Sequence, residues 1–551
     1  MLSLSLASAG AFAQVPAPPP GAQPGQIERQ FQPSPTPAQP GNAVPVPAAP
    51  EYQAPANAEQ IRFTLKAVVV EGATVYPDDS LAAGTWGDRI GQSVTLADVF
   101  AWAQQLTVRY RNDGYILSRV LVPQQDIADG TVRLRAVEGF VAAVQVDGDA
   151  DGLREAVDAR AQPLTTQRPL TAALLERQML LINDLPGVRA VAVLKPSQGA
   201  TGAADVVIQV THTLLAASAE INNRGSRSLG PWRLDAQGSI DSPGGVPSRL
   251  SLQGSTTPDD ELRFIAATGD LPIGVDGLLF TGSASFAKAH PDPDRSFGVA
   301  YETESTSTSL RLAYPLLRSL NRNVELHAQV DGLDGSTDAN GARLSTDRIR
   351  SFRFGARLDV ADAARGVNLA EIELSHGLNA FGARRSGTEG LSNPDGRSDY
   401  SKATFYLARV QGLTQRWSLL AALQGQRAFD DLLTPERFSY GGSGFGRGYD
   451  PSELLGDDGA AAKLEARYDM APVGTVRPLL YGFYEIGKVW RRHPVDSDRI
   501  DSGATAGLGV RFDAATWLSG YVELAKPLTR DVAADGDRNL RGYVGLRMAL
   551  D

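Results

Sequence analysis

The feature that most constrains this chain lies beyond Leu214, where helical periodicity stops and apolar residues alternate with polar ones through residues 215–551. Arg233 to Ile240, Arg249 to Gln253, Leu262 to Ala267, Leu278 to Phe286, Leu310 to Tyr314, Val324 to Val330, Phe405 to Val410 and Leu464 to Tyr468 are such runs, separated by Gly, Asn, Asp and Pro turns. A period of two marks strands whose two faces meet different surroundings. No run of about 18 apolar residues follows the N-terminus, so a helical membrane span is excluded and a membrane role requires a barrel. The 337 residues from 215 to 551, at about 21 per strand and connection, predict about 16 strands, given membrane strands of roughly 9 to 11 residues. An array of soluble β-sandwiches is the alternative, but it would show domain-sized boundaries and linkers that this stretch lacks.

Upstream the pattern is different. Leu2 to Ala13 is apolar and small, and Ala11-Phe12-Ala13 before Gln14 fits signal-peptide cleavage, although no Lys or Arg precedes it. Residues 1–13 are therefore expected to be a signal peptide, possibly a truncated one. Pro16 to Pro55 holds 13 of the 34 prolines, a composition that favours extended, solvated chain. Residues 14–60 thus read as a linker, with Gln26 to Phe31 its one candidate short helix. Residues 61–138 then read as a small β-α-α-β-β module. Phe63 to Val70 predicts a strand; Thr95 and Asp98 form a capping box; Leu96, Val99, Phe100, Ala103, Leu106 and Tyr110 share a helix face ended by Gly114. Strands at Ile116 to Val122 and Thr131 to Val137 are joined through Asp129-Gly130. Residues 139–214 repeat the order, with strands at Val141 to Val146, Val188 to Leu194 and Asp205 to Thr211 and helices at Leu153 to Ala159 and Leu170 to Leu185.

Composition removes several function classes. The formal charge of −10 opposes a nucleic-acid partner, which needs a basic surface. Cysteine is absent, and the five histidines are dispersed without metal-ligand spacing, so no metal or other cofactor is expected. Asp147 to Asp158 resembles a calcium loop, but a strand precedes it and Arg154 stands where an apolar residue belongs, so a β-to-α turn is the better reading. There is no G-x-S-x-G elbow and no Walker A sequence; an enzyme is not expected.

Certain motifs carry a resemblance: Tyr115-Ile116-Leu117-Ser118 and Val137-Glu138-Gly139 in the first module, Leu175-Glu176-Arg177 and Asn183 to Gly187 in the second. Further on come Asn222 to Gly225, Tyr314 to Arg318, Phe438 to Asp450 (FSYGGSGFGRGYD) and Phe483-Tyr484-Glu485-Ile486-Gly487. The chain from Ile61 to Leu550 resembles the two-partner secretion transporters, the haemolysin activation and secretion class of outer-membrane proteins. The resemblance implies a mainly β fold: a 16-stranded transmembrane β-barrel at 215–551 preceded by two small α+β POTRA domains in the periplasm. It also implies that a loop around 438–456 folds back into the lumen. Four departures stand out: Gly446 replaces a small β-branched residue, Glu485 replaces the more usual aspartate, the final strand does not end in an aromatic residue, and the family's N-terminal plug helix is represented only weakly, by Ile27 to Phe31 within the linker, so a stable plug is not expected.

On this resemblance Arg447, Gly448 and Tyr449 form the loop tip, and Phe483, Glu485 and Gly487 belong to the barrel-wall motif that receives it. A guanidinium suits the tip because it offers one carboxylate two parallel hydrogen bonds, so a bidentate pair with Glu485 is expected. An ordinary Gly-rich surface turn is the alternative. The implied function is export of a cognate large exoprotein from the periplasm to the cell surface. The substrate would bind by adding a strand to a POTRA sheet edge. Outer-membrane lipids are the other partner, and a monomer is expected. An outer-membrane assembly or insertion factor of the same superfamily is the alternative function, and a diffusion porin would need neither module.

Overall fold

The computed structural model describes residues 16–32, 34–37, 53–150, 152–296, 298–493 and 498–550. The apolar stretch Leu2 to Ala13 and the expected start at Gln14 lie outside them.

Residues 215–550 close into a barrel of 16 antiparallel strands, as the alternation predicts. Each strand pairs with its sequence neighbours except Trp417–Ala428, which pairs directly with Asp458–Asp469. The hairpin between them, Phe438–Tyr440 with Leu454–Gly456, is left to form its own two-stranded sheet. The last strand, Arg541–Leu550, closes on the first, Leu215–Asn222, from Gly545↔Asn222 to Leu550↔Ala217.

Alternation sorts the side chains. Leu250, Leu252, Ile265, Phe352, Phe354, Ile372, Leu374, Leu508 and Val522 are exposed on the outer face. Glu465, Glu485, Thr505 and Glu523 are buried inside. So broad an apolar exterior is stable only in lipid. Three strands exceed the expected length most: Tyr301–Arg318 and Arg322–Ala339 have 18 residues each and Ala342–Ala361 has 20. Their excess lies at the far end from the modules and is polar, as in Glu302 to Ser309, so they run on past the apolar band into water.

The two modules have the same sheet plan. In the first, Ala67–Glu71 pairs parallel with Thr131–Val137, which pairs antiparallel with Arg119–Leu121. In the second, Phe140–Gly148 pairs parallel with Ala203–His212, which pairs antiparallel with Val188–Pro196. Helix Leu96–Asn112 starts at the predicted capping box, where Thr95 Oγ1 accepts from Asp98 N and Asp98 Oδ2 accepts from Thr95 N. The strand expected from Ile116 shrinks to Arg119–Leu121, because Tyr115, Ile116 and Ser118 spend their N–H groups on local turns. Ile116 and Leu117 pack instead on the second module's core.

The second module docks on the near rim of the barrel. Both Nε and Nη2 of Arg318 donate to Asp184, at 2.9 and 2.6 Å, Arg160 donates to Gly274 O at 2.9 Å, and Ser242 Oγ donates to Pro186 O at 2.8 Å.

The Pro-rich N-terminal stretch departs from the solvated linker expected of it. Residues 16–32 run inside the barrel, with a 3-10 turn at Pro20–Ala22 and a four-residue helix at Gln26–Arg29. Ile27 is fully buried and the Phe31 ring stacks on Phe264 at 4.2 Å. A helix this short is not stable in water. Here the lumen and the inward hairpin provide its partners.

Candidate functional site

The 29 residues between Trp417–Ala428 and Asp458–Asp469 form the inward loop, and its tip is built to reach the wall. Gly441 and Gly446 have φ of +125° and +89°, values open to glycine, and they turn the chain sharply on either side of Ser443. At Gly446 an added Cβ would lie 2.9 Å from the Tyr440 ring, so a side chain there would force the ring aside.

Arg447 and Glu485 meet. Arg447 Nε donates to Glu485 Oε1 at 2.7 Å, and the backbone N–H groups of Gly446 and Arg447 both donate to Glu485 Oε2 at 2.8 Å. The arginine is 5% exposed and the glutamate 0%. The expected bidentate guanidinium pair is not what forms. Glu485 instead grips the loop by one side-chain and two main-chain donors, which frees the guanidinium's Nη1 for other acceptors. Nη1 lies 2.8 Å from Glu465 Oε2 and 3.2 Å from Glu523 Oε2. The Phe483 ring lies under the guanidinium, 3.5 Å from Cζ to centroid, where its negative face favours the cation.

The remaining predicted residues shape the seat. Tyr449 is buried and donates from its hydroxyl to Ala504 O at 3.0 Å. A side chain at Gly448 would strike Thr505, and one at Gly487 would strike the Tyr440 ring. Small residues at these two positions let loop and wall approach.

Glu465 and Glu523 escaped sequence reading, as did the rest of the charge cluster. Arg467 and Arg511 neutralise Glu465 at 2.8 and 2.9 Å, while Arg224 pairs with Glu523 at 2.8 Å. Arg541 Nη1 meets Asp450 at 2.8 Å. A usable signal was present: Glu523 between Val522 and Leu524, like Glu485 between Tyr484 and Ile486, is a charge at the inward phase of a lipid-facing strand.

A second clamp holds the loop's start. Glu436 lies 2.6 Å from Lys402 Nζ and 2.8 Å from Arg353 Nη2, and Arg353 Nε reaches Asp331 at 2.6 Å. The N-terminal segment is fastened mainly to this loop. Gln26 Nε2 donates to Thr434 O at 2.8 Å, Arg29 donates to Pro435 O at 2.7 Å and to Arg437 O, and Ser452 Oγ donates to Gln26 at 3.2 Å. Glu28 accepts from Ser305 on the wall.

Outside the barrel, Glu138 fastens the first module. It accepts from the main chain of Thr74 and Val75 at 2.7 and 3.0 Å and from the Tyr110 hydroxyl at 2.8 Å. Burial opposes ionisation of Glu138, but the hydrogen bonds from Thr74, Tyr110 and Val75 outweigh it and hold the carboxyl below its usual range.

The profile of the family described as "Haemolysin secretion/activation protein ShlB/FhaC/HecB" matches residues 202–512, more than half of the chain, and that of "POTRA domain, ShlB-type" matches 63–139. The Heme/hemopexin transporter protein HuxB of Haemophilus influenzae (strain 86-028NP) is 20% identical over 453 residues, covering 80% of both chains. The Hemolysin transporter protein HpmB of Proteus mirabilis is 24% identical over 436 residues, covering 73% of this chain and 72% of the relative. Among solved structures, CdiB from Escherichia coli aligns with a TM-score of 0.72 at 20% identity, covering 92% of this chain and 94% of that one. CdiB from Acinetobacter baumannii aligns at 0.64 and 15% identity, covering 95% and 96%.

Proposed function

The chain belongs to the haemolysin secretion/activation protein family, and we propose on that footing that it carries one cognate large exoprotein across the outer membrane in a two-partner pathway. The barrel lies in the outer membrane and the two modules in the periplasm. The observation that carries the reading is a lumen too wide for its own wall side chains to fill, closed instead by a loop and an N-terminal segment held through polar contacts. Such contacts exchange readily for water or for another polar chain.

The periplasmic sheets present Ala67–Glu71 and Val188–Pro196 as outer strands, with Val191 and Val193 exposed on the latter. An unfolded exoprotein binds there by strand addition, where main-chain hydrogen bonds give affinity with little sequence demand. Arg447, Gly448 and Tyr449 with Phe483, Glu485 and Gly487 act as the latch that sets the loop's resting position. The transporter works as a monomer. No nucleotide drives the step; folding of the exoprotein outside the cell gives it direction.

Deleting the gene and comparing culture supernatants tests the function. Loss of one large secreted protein supports export. General depletion of outer-membrane proteins points to assembly, and altered small-solute uptake alone points to a porin.

A further inference from the structure

On the outer wall the apolar band ends along a line drawn by the strand register. Leu310, Val330 and Phe352 lie opposite one another on three neighbouring strands, and all three are exposed. One step toward the cell surface at the same outward phase stand Thr308, Gly332 and Arg350, and one step further stand Thr306, Asp334 and Arg348. Arg348 and Arg350 thus share a face, about 7 Å apart along the strand, at the depth where lipid headgroups replace acyl chains. The surface loop after Gly366–Gly377 folds back onto this spot. Leu378 N donates to Arg350 O at 2.7 Å, Arg384 N to Arg348 O at 2.9 Å and Arg384 Nη1 to Thr346 O at 3.2 Å, while Arg350 Nε donates to Phe381 O at 3.1 Å. Arg384 and Arg385 therefore join the two strand arginines, on a chain whose formal charge is −10.

Carboxylates do not balance this cluster. Arg350 meets Asp334 at 2.7 Å, and Arg384 spends its donors on the main-chain oxygens of Thr346 and Glu389. Arg348 and Arg385 are exposed, and neither side chain has an acidic partner among the described residues. Elsewhere at this end of the wall cations are neutralised locally: Lys288 by Glu302 and Glu304 at 2.5 and 2.9 Å, Arg427 by Asp458 at 2.8 Å, and Arg263 by Asp260. A second observation sits beside the unbalanced cations. Phe381 is 83% exposed, the most exposed large apolar side chain among the described residues, and its φ of +52° is disfavoured for any residue with a Cβ. With its carbonyl fastened to Arg350, the loop holds this ring out at the edge of the band. In water such exposure gains nothing, whereas at a lipid interface an aromatic ring is favoured.

We propose that Arg348, Arg350, Arg384 and Arg385, with Phe381, form a binding site for one phosphorylated glycolipid of the outer leaflet. Guanidinium groups match phosphate by paired, charge-assisted hydrogen bonds. The occupant is a lipid because the cluster opens directly onto the apolar band, where Phe352 and Leu374 are exposed below it to meet acyl chains. A headgroup with more than one phosphate fits best, since the two unpaired cations come from different segments, Arg348 from the strand and Arg385 from the loop. The site lies on the outside of the barrel and is independent of what passes through the lumen.

The test titrates the full-length protein in neutral detergent with bisphosphorylated lipid A and follows binding by native mass spectrometry. The parent should retain a single lipid A, with dephosphorylated lipid A and phosphatidylglycerol each held at least about 10-fold more weakly. Arg348→Ser combined with Arg385→Ser should weaken lipid A by about 10-fold or more, and Phe381→Ser by roughly threefold or more. Arg263→Ser combined with Arg427→Ser removes the same charge from the same end of the wall, and because those cations are already paired it should stay within about twofold of the parent. Equal retention of phosphorylated and dephosphorylated lipid A overturns the site, as does an equal loss in the two double variants. Phosphatidylglycerol held as tightly as lipid A overturns the glycolipid as occupant. Heat-modifiability checks that each variant is folded, and the comparison of the three lipids on the parent decides the matter should a variant fail to fold.

Discussion

Removing the Arg447 side chain probes the latch directly, and the structure sets the size of the effect. Arg447→Ala does not strand all three carboxylates. Glu465 keeps Arg467 and Arg511, and Glu523 keeps Arg224. Glu485 is the one left without a cation at hydrogen-bond distance, retaining the N–H groups of residues 446 and 447. The loss is therefore that of one buried pair, about 3 to 5 kcal/mol when dry, with the Phe483 contact adding about 1 kcal/mol and lumen water subtracting a comparable amount. At 1.36 kcal/mol per decade this raises the undocked population of the loop on the order of 100-fold to a few thousand-fold. Ser452, 4% exposed and bonded to Gln26, is a suitable reporter. In a Ser452→Cys background, the rate of labelling by a membrane-impermeant maleimide follows the open population of the loop. Arg447→Ala should raise that rate by the same factor and sharply lower export, with the barrel still inserted and heat-modifiable. A labelling rate within about twofold of the parent, together with normal export, would refute the latch.

Glu436→Gln should loosen the loop at its other end, since Arg353 and Lys402 then face a neutral amide; a gain in Ser452→Cys labelling of about 10-fold or more is expected for a charged buried contact worth ~1.5 to 3 kcal/mol. Gly487→Ala should displace Tyr440 and unseat the loop while the wall still closes, seen as a shifted tryptophan spectrum and raised conductance with unchanged heat-modifiability. Glu138 titrates below its usual range, so it stabilises the first module above the unfolded carboxyl value of ~4.3, and that stability is lost as pH falls through the folded value. Glu138→Gln should accelerate hydrogen exchange at residues 74–76 and 107–112 several-fold at pH ~7, and the difference should vanish in acid; a difference that persists or grows there contradicts the assigned role. Asp184→Asn, at a partly exposed pair, should cost only about 0.5 to 1 kcal/mol, widening the distance distribution between the second module and the rim in spin-label measurements without loss of folding.

The division between what was legible and what was not follows the range of the interactions. Strand alternation is local, so 337 residues of it were enough to give a barrel, whereas the inward place of Glu485 came from the resemblance of its motif. The capping box at Thr95 and the stop at Gly114 are equally local, and helix Leu96–Asn112 obeys them. The strand from Ile116 was misjudged because its pattern suited a sheet while its residues were needed for a turn and for the neighbouring module's core. Asp457 lies in a loop, yet it is buried and accepts from Leu432 N and Arg492 N, which stitches the loop's base.

The sequence by itself determined the strand count and the order of the domains, because periodicity is a property of neighbouring residues, while the Arg447 and Glu485 pair came from the resemblance carried by two short motifs. The tertiary structure alone decided that Glu485 would spend its second oxygen on the loop backbone. It also decided that Glu465 and Glu523 would share the guanidinium, and that a proline-rich stretch fit for solvent would lie in the lumen. Those outcomes depend on the curvature of a closed sheet. Closure brings carboxylates 38 and 76 residues along the chain from Arg447 to within hydrogen-bond reach of its guanidinium, and no local pattern encodes that distance.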